Sequence, residues 1–207
     1  MAQPHVAPNL QTSTGVDNRK LLMWLFLASE CLFFGGLIGT YLLYRDRSIG
    51  PPFAVDTVYQ GVHYSGLYDI PFTSISTFVL LMSSVSMVLA LAAIQRNDKR
   101  GTLVWLMCTS LLGMTFLAGQ AFEFTEFVHK GLTLHKNLFG TSFFVLTGFH
   151  GAHVSVGVLM LLSLWVMVLR GRLTSENALN VELAGLYWHF VDIVWIVIFT
   201  LVYLIQS

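Results

Sequence analysis

Residues 138–169 read LFGTSFFVLTGFHGAHVSVGVLMLLSLWVMVL, an apolar run of 32 residues that contains no Lys, Arg, Asp or Glu. A hydrocarbon core about 30 Å thick is crossed by about 20 helical residues. In lipid, every backbone polar group needs a hydrogen-bond partner inside its own segment, and a helix supplies one. This stretch therefore predicts a helix that spans a membrane.

Four more apolar runs of spanning length occur in the chain: 21–44, 71–94, 103–128 and 183–205. We therefore expect an all-α membrane protein, a bundle of five transmembrane helices. The composition agrees, because 55% of the residues are hydrophobic and 11% are charged, whereas about 25% are charged in ordinary soluble domains. The 11 basic and 11 acidic residues form no basic block, which argues against nucleic acid as a partner.

The segments outside the runs indicate the domain organisation. Residues 1–18 have no periodic apolar pattern, so we expect a mobile N-terminal tail before a single transmembrane domain over 19–207. The first run is too long for the apolar part of a signal peptide. It is followed by Arg45-Asp46-Arg47 where a signal peptide would have small residues for cleavage. We expect this helix to be retained.

The distribution of Lys and Arg predicts the orientation of the chain, because all of them lie outside the five runs. On the side of the N-terminus are Arg19, Lys20, Arg96, Lys99, Arg100, Arg170 and Arg172. On the opposite side are Arg45, Arg47, Lys130 and Lys136. The positive-inside rule then places the N-terminus in the cytoplasm and, after five spans, the C-terminus outside.

The two cysteines, Cys31 and Cys108, both lie inside apolar runs. Two such positions cannot form a disulfide framework or a zinc-knuckle spacing. We expect both to be small hydrophobic residues of the core.

Six acidic or histidine residues lie at least five residues from either end of a run: Glu30, Glu123, His150, His153, His189 and Asp192. A charge at the bilayer centre costs at least about 2.5 kcal/mol, so each side chain should face protein or water and have a partner. His150 and His153 are three residues apart on one helix face, as are His189 and Asp192. We expect these two polar stripes to meet Glu30 across the seams between helices.

Three functions compete for these residues on chemistry alone. Haem or metal ligation suits imidazole, but a haem bundle needs histidines on facing helices and a di-metal site needs paired Glu-x-x-His motifs, neither of which the sequence contains. Proton or solute transport suits buried acids and imidazoles, although five helices give no inverted repeat. The third function is structural, with the side chains hydrogen-bonding to one another to fix helix register or to hold lipid.

Motifs around these six residues support a more specific interpretation. They are Ser29-Glu30 and Phe33-Phe34 within Trp24–Tyr44, QAFEF at 120–124, TGFHGAHV at 147–154 and YWHFVDIVW at 187–195. In this order they resemble subunit III of the haem-copper respiratory oxidases, from about Arg19 to Tyr203. The resemblance is to the form with five helices, which lacks the first two of the usual seven.

The resemblance implies a non-redox subunit of a prokaryotic inner-membrane oxidase, with haem and copper carried by subunits I and II. It implies bound phospholipid, although part of the lipid cleft of the longer forms would be missing here. It also implies a role in complex stability and in proton delivery to subunit I. Glu30 matches the buried carboxylate that reacts with hydrophobic carbodiimides. We expect His150 or His153 as its partner, with Glu123 and His189 as further members of one network.

The electron donor of the parent complex is less clearly indicated. Leu173-Thr174-Ser175 and Ile70-Pro71-Phe72 resemble the quinol oxidases of the cytochrome bo type. Ser29-Glu30, Gln120 with Glu123, and the Trp-His-Phe-Val-Asp run resemble the cytochrome c oxidases. We favour cytochrome c oxidase, with quinol oxidase as the alternative and the small subunit of nitric oxide reductase systems as a more distant one. A small proton-coupled transporter is the alternative from another class.

Overall fold

The structure is a computed structural model that describes residues 17–45, 57–59, 62–64, 66, 69–132 and 138–205. Its five long helices are α1 (Asn18–Tyr44), α2 (Ile70–Gln95), α3 (Lys99–His129), α4 (Leu138–Leu169) and α5 (Ala178–Phe199). All five are long and apolar enough to cross a membrane. The prediction of five membrane-spanning helices is therefore confirmed. Most of the expected tail, 1–16, lies outside the described residues.

Four of the helices close into a ring. Helix α2 packs against α3 and α5, and α4 packs against the same two helices. Helix α1 lies outside this ring, against α4 and α5. It turns Leu27, Phe34 and Tyr41 toward the bundle, one residue in every seven, and this narrow stripe is its buried side. Much of its remaining surface is exposed and apolar, as expected for a helix in lipid.

Aspartates begin three of the helices. Asp17, Asp69 and Asp98 accept hydrogen bonds from backbone N–H groups in the first turns of α1, α2 and α3, at 2.8, 3.2 and 3.0 Å. Such caps satisfy N–H groups that have no partner within the helix. Between α2 and α3, Asn97 adopts a φ of 57°. Asparagine tolerates this left-handed conformation better than most residues, so it suits the tight turn of the α2–α3 hairpin.

Two features depart from the expected all-helical pattern. A short antiparallel hairpin, β1 (Thr57–Tyr59) with β2 (Val62–Tyr64), lies in the connection between α1 and α2 and pairs Val58 with His63. The fifth predicted run, 183–205, is not one regular α-helix. A 3₁₀ turn at Ser175–Asn177 precedes α5, and α5 continues into a π-helical turn at Thr200–Leu204.

The expectation that both cysteines belong to the core is wrong. Cys31 is exposed and Cys108 is only partly buried. The outer face of a membrane helix is as apolar as its inner face, so an apolar run does not show which side a residue occupies.

Candidate functional site

Glu30 and His153 meet at the seam between α1 and α4. The distance between Oε2 of Glu30 and Nε2 of His153 is 3.2 Å, and the side chains are 18% and 19% exposed, respectively. Glu30 lies near the middle of the 27-residue α1. At this depth lipid offers no hydrogen-bond partner, so each side chain depends on the other.

The hydrogen bonds of His153 determine how many protons the pair shares. Its Nδ1 lies 2.7 Å from the carbonyl oxygen of Phe149. Because a carbonyl oxygen only accepts, Nδ1 carries the hydrogen of that bond. Nε2 and the carboxyl group of Glu30 then attract each other only when one proton lies between them. The pair is therefore an imidazole with a carboxylic acid or an imidazolium with a carboxylate, and both forms have no net charge.

Aromatic side chains flank the pair, and one of them connects it to a third helix. The rings of Phe34 and Phe33 on α1 have their centroids 5.0 and 6.3 Å from that of the His153 imidazole. Tyr187 of α5 donates its hydroxyl hydrogen to the carbonyl oxygen of His153, at 3.0 Å. The contact between Glu30 and His153 thus joins α1 to α4 at the point where α5 also touches α4.

His150 has quite different surroundings from His153. Its imidazole is completely buried, stacked on Trp195 at 4.9 Å and edge-on to Phe116 at 5.9 Å between ring centroids. Neither ring nitrogen has a hydrogen-bond partner among the described residues. Three residues leave an offset of about 60° around a helix. This offset is enough to turn one histidine toward α1 and the other into the ring of four helices.

Glu123 belongs to a separate buried cluster at the end of the bundle that holds the π-helical turn. Thr73 of α2 donates its hydroxyl hydrogen to Oε1 of Glu123 at 2.8 Å. Tyr203 forms a side-chain hydrogen bond with the same carboxyl group. The π-helical turn carries Tyr203, and such irregular turns are frequent at functional positions.

His189 and Asp192 face α2. Nδ1 of His189 lies 2.6 Å from the hydroxyl oxygen of Ser84. Asp192 lies beside the same serine, but both of its carboxyl oxygens are buried without a hydrogen-bond partner that meets ordinary geometry among the described residues. The two side chains therefore contribute to the seam between α2 and α5 and lie apart from the contact between Glu30 and His153.

The six predicted residues therefore lie at four separate sites: the seam between α1 and α4, the inside of the ring, the cluster around Glu123 and the seam between α2 and α5. The structure brings Glu30 and His153 together, as one of the two expected pairings, and it does not join Glu123, His150, His189 or Asp192 to them in one network. Within the described residues, no group of three or more His, Cys, Asp or Glu side chains has the arrangement of a metal site.

Sequence reasoning missed the hydroxyl groups of α2. The indole N–H of Trp188 donates to Ser83 and that of Trp195 donates to Thr77, each at 2.9 Å. Ser86 also bonds to Thr109 of α3, at 2.8 Å. The signal that could have revealed them is the concentration of Ser and Thr at two places in α2, at 73–77 and at 83–86, since small hydroxyl side chains commonly join membrane helices.

The fold and these contacts define a class: a polytopic membrane protein whose buried acids and imidazoles lie at the seams between helices. The family described as cytochrome c oxidase subunit III matches residues 9–207. The chain belongs to this family. Its members are subunits of haem-copper oxidase complexes, which are oxidoreductases, and subunit III itself carries no redox cofactor. The resemblance seen in the sequence is therefore confirmed, and with it a multi-pass location in a bacterial inner membrane.

Individual relatives agree with the family assignment. A cytochrome c oxidase subunit 3 of Bacillus sp. strain PS3 is 36% identical over 198 residues, covering 96% of this chain and 91% of the relative. A probable quinol oxidase subunit 3 of Staphylococcus saprophyticus is 37% identical over 191 residues, covering 90% and 88%. A cytochrome c oxidase subunit 3 of Synechocystis is 40% identical over 190 residues, covering 91% and 76%. Membership of the oxidase family favours this function over the transporter.

Proposed function

We propose that this chain is subunit III of a cytochrome c oxidase. In this proposal it contacts subunit I, lies close to subunit II and binds membrane phospholipid, while haem and copper remain on the partner subunits. It supports the stability of the complex and the uptake of protons beside subunit I. The observation that carries the proposal is the contact between Glu30 and His153.

The chemistry of this pair suits a proton-handling role at mid-membrane. Moving the shared proton between Nε2 of His153 and Oε2 of Glu30 changes no net charge, so the pair avoids the cost of an isolated ion in hydrocarbon. Both side chains remain partly exposed. The carboxyl group can therefore be reached from the outside of the bundle by a proton donor or by an apolar reagent.

The test replaces Glu30 by Gln in the complex purified from its native membrane. Glutamine keeps a hydrogen-bonding group beside His153, so we expect subunit association to survive. Glutamine has no carboxyl group to accept a proton or to react with a carbodiimide, so we expect labelling by a hydrophobic carbodiimide to be lost and sustained turnover to end earlier.

The matched control is Glu182→Gln. Glu182 also pairs across an α1 seam, with Lys20 at 2.7 Å, but both side chains there are 34% exposed. Exposed ion pairs contribute little to stability, so labelling and turnover should match the wild type. If Glu30→Gln left association, labelling and the duration of turnover all unchanged, the assignment of this pair would be wrong.

Quinol oxidase is the second candidate, because relatives with that name are as similar as those named cytochrome c oxidase. The two are distinguished by affinity purification of the chain in mild detergent, followed by a haem spectrum and oxygen uptake with each donor. We expect haem to co-purify and cyanide-sensitive uptake to occur with reduced cytochrome c. Uptake with quinol alone would assign the chain to the quinol branch, and a colourless, inactive preparation would contradict the oxidase assignment.

A further inference from the structure

An apolar depression of about 590 Å³ opens on the outer surface of the bundle, between α3 and α4. It includes no residue of α1 and is therefore distinct from the seam that holds Glu30. Its wall is formed by Leu103, Val104, Met107, Cys108 and Leu111 of α3, with Trp165 of α4 opposite them. Val104 and Leu111 are 63% and 53% exposed, so the depression faces the surroundings of the bundle.

A basic residue lies at the end of this depression that is nearer the membrane surface on the side of the N-terminus. Arg100 precedes Val104 by four residues, so both lie on the same face of α3, one turn apart. Arg100 is exposed and makes no ion pair or hydrogen bond with the described residues. Its long side chain can extend along apolar surface and keep its charge at the headgroup layer.

The surroundings of Arg100 add to its positive charge. The turns that join α2 to α3 and α4 to α5 also bring Arg96, Lys99, Arg170 and Arg172 to this end of the bundle. Two acids lie in the same turns: Asp98, whose carboxylate caps α3, and Glu176. The excess of positive charge matches an anionic headgroup.

Trp165 gives a second indication of an occupant. It lies five residues before Arg170, about 7.5 Å along the helix axis, at the depth where tryptophan settles at membrane interfaces. Its indole ring lines the depression, so an acyl chain that occupies the depression would contact the ring.

We propose that the depression between α3 and α4 is a binding site for an anionic phospholipid. One acyl chain lies along Val104, Cys108 and Leu111, and the phosphate group lies at Arg100. The site takes its lipid from the leaflet on the side of the N-terminus. A transmembrane helix of a partner subunit would fill the apolar depression, but it would leave the charge of Arg100 unmatched unless it supplied an acid.

The experiment uses native membranes supplied with either photoactivatable phosphatidylglycerol or photoactivatable phosphatidylcholine, each with the reactive group in its acyl chain. After illumination the complex is purified and the labelled peptides are mapped. We expect phosphatidylglycerol to label residues 103–112 and Trp165 more than phosphatidylcholine does. Arg100→Gln should reduce that labelling roughly fivefold, the factor that one basic residue near an anionic surface contributes.

The control variant is Arg19→Gln, which removes the same charge on the same side of the membrane at the start of α1. Its labelling of residues 103–112 should equal that of the wild type. A second variant, Val104→Trp, fills the depression and should also reduce labelling, whereas Val85→Trp on exposed α2 surface should not.

Three results would overturn the proposal. The first is equal labelling by the two lipids, and the second is labelling that Arg100→Gln leaves unchanged. The third is capture of a second polypeptide of the complex by a photo-crosslinker attached to Cys108 in a Cys31→Ser chain, which would assign this face to a partner subunit. Each of these results can be obtained whichever electron donor the complex uses, so they leave the assignment to an oxidase complex unaffected.

Discussion

His150 and His153 show how far the surroundings of one residue type can differ within one helical turn. His153 uses both ring nitrogens, one toward the Phe149 carbonyl group and one toward Glu30. His150 uses neither nitrogen within the described residues and instead contacts the rings of Phe116 and Trp195. A buried polar atom without a partner costs free energy, so the two histidines should respond in opposite ways to the same replacement.

We predict that His150→Phe leaves the stability of the complex unchanged or raises it by up to about 1 kcal/mol, because two unpaired polar atoms are removed and the ring stack on Trp195 is kept. His153→Phe should lower stability by about 1–3 kcal/mol, because Glu30 loses its partner. Thermal unfolding of the two purified variants provides the measurement. A loss larger than about 2 kcal/mol in His150→Phe would mean that its nitrogens bind a group such as a buried water molecule.

At the scale of the helices, Trp188 fills the centre of the ring. Its indole occupies the space left by two glycines, Gly113 of α3 and Gly157 of α4. A Cβ atom at these positions would lie 2.6 and 2.8 Å from the ring. Small residues at such seams allow membrane helices to pack closely around a large side chain.

Gly113→Ala should therefore destabilise the bundle by about 1–3 kcal/mol through overpacking against the far edge of the Trp188 indole. The matched control is Gly148→Ala, since a Cβ atom there meets nothing within 4 Å. That replacement should be neutral or stabilise the helix slightly. Thermal unfolding of both variants gives the comparison.

A double-mutant cycle with Trp188→Phe checks the cause. Phenylalanine lacks the indole atoms that an alanine at position 113 would contact, so Gly113→Ala should cost less in this background. An equal cost in both backgrounds would show that the indole is not what the new methyl group meets.

The helices were predictable from sequence to a greater extent than the contacts between them. Apolar runs of spanning length identify membrane helices because lipid imposes hydrogen bonding within each segment. The β1–β2 hairpin was missed because its strands are three residues long. The pairing of Glu30 with His153 was one of two expected, but choosing between the two histidines requires the rotation of α4 against α1. Periodicity cannot supply this rotation when both faces of a helix are apolar.

In the whole molecule, α1 packs against the outside of the ring formed by the other four helices. Polar contacts join it to those helices near its start, at its middle and just beyond its end. Lys20 pairs with Glu182 near its start, Glu30 with His153 at its middle, and Arg45 donates to the carbonyl oxygen of Ile205 at 2.9 Å just beyond its end. These polar contacts lie at three depths of the membrane. Together with the stripe at Leu27, Phe34 and Tyr41 they determine the register of α1 against the other four helices.

The charge distribution predicts which side of the membrane each end of this assembly faces. In a chain whose two native cysteines are replaced by Ser, single cysteines are introduced by Lys130→Cys after α3 and by Glu176→Cys between α4 and α5. Both positions are exposed. Lys130→Cys removes an ion pair with Glu126, but this pair is exposed and such pairs contribute little to stability. In intact cells, a thiol reagent that cannot cross the membrane should label the cysteine at 130 and not the one at 176. After permeabilisation both should react to the same extent, because both side chains are accessible. This pattern follows from seven basic residues on the side of the N-terminus against four opposite, and the reverse pattern in intact cells would place the N-terminus outside.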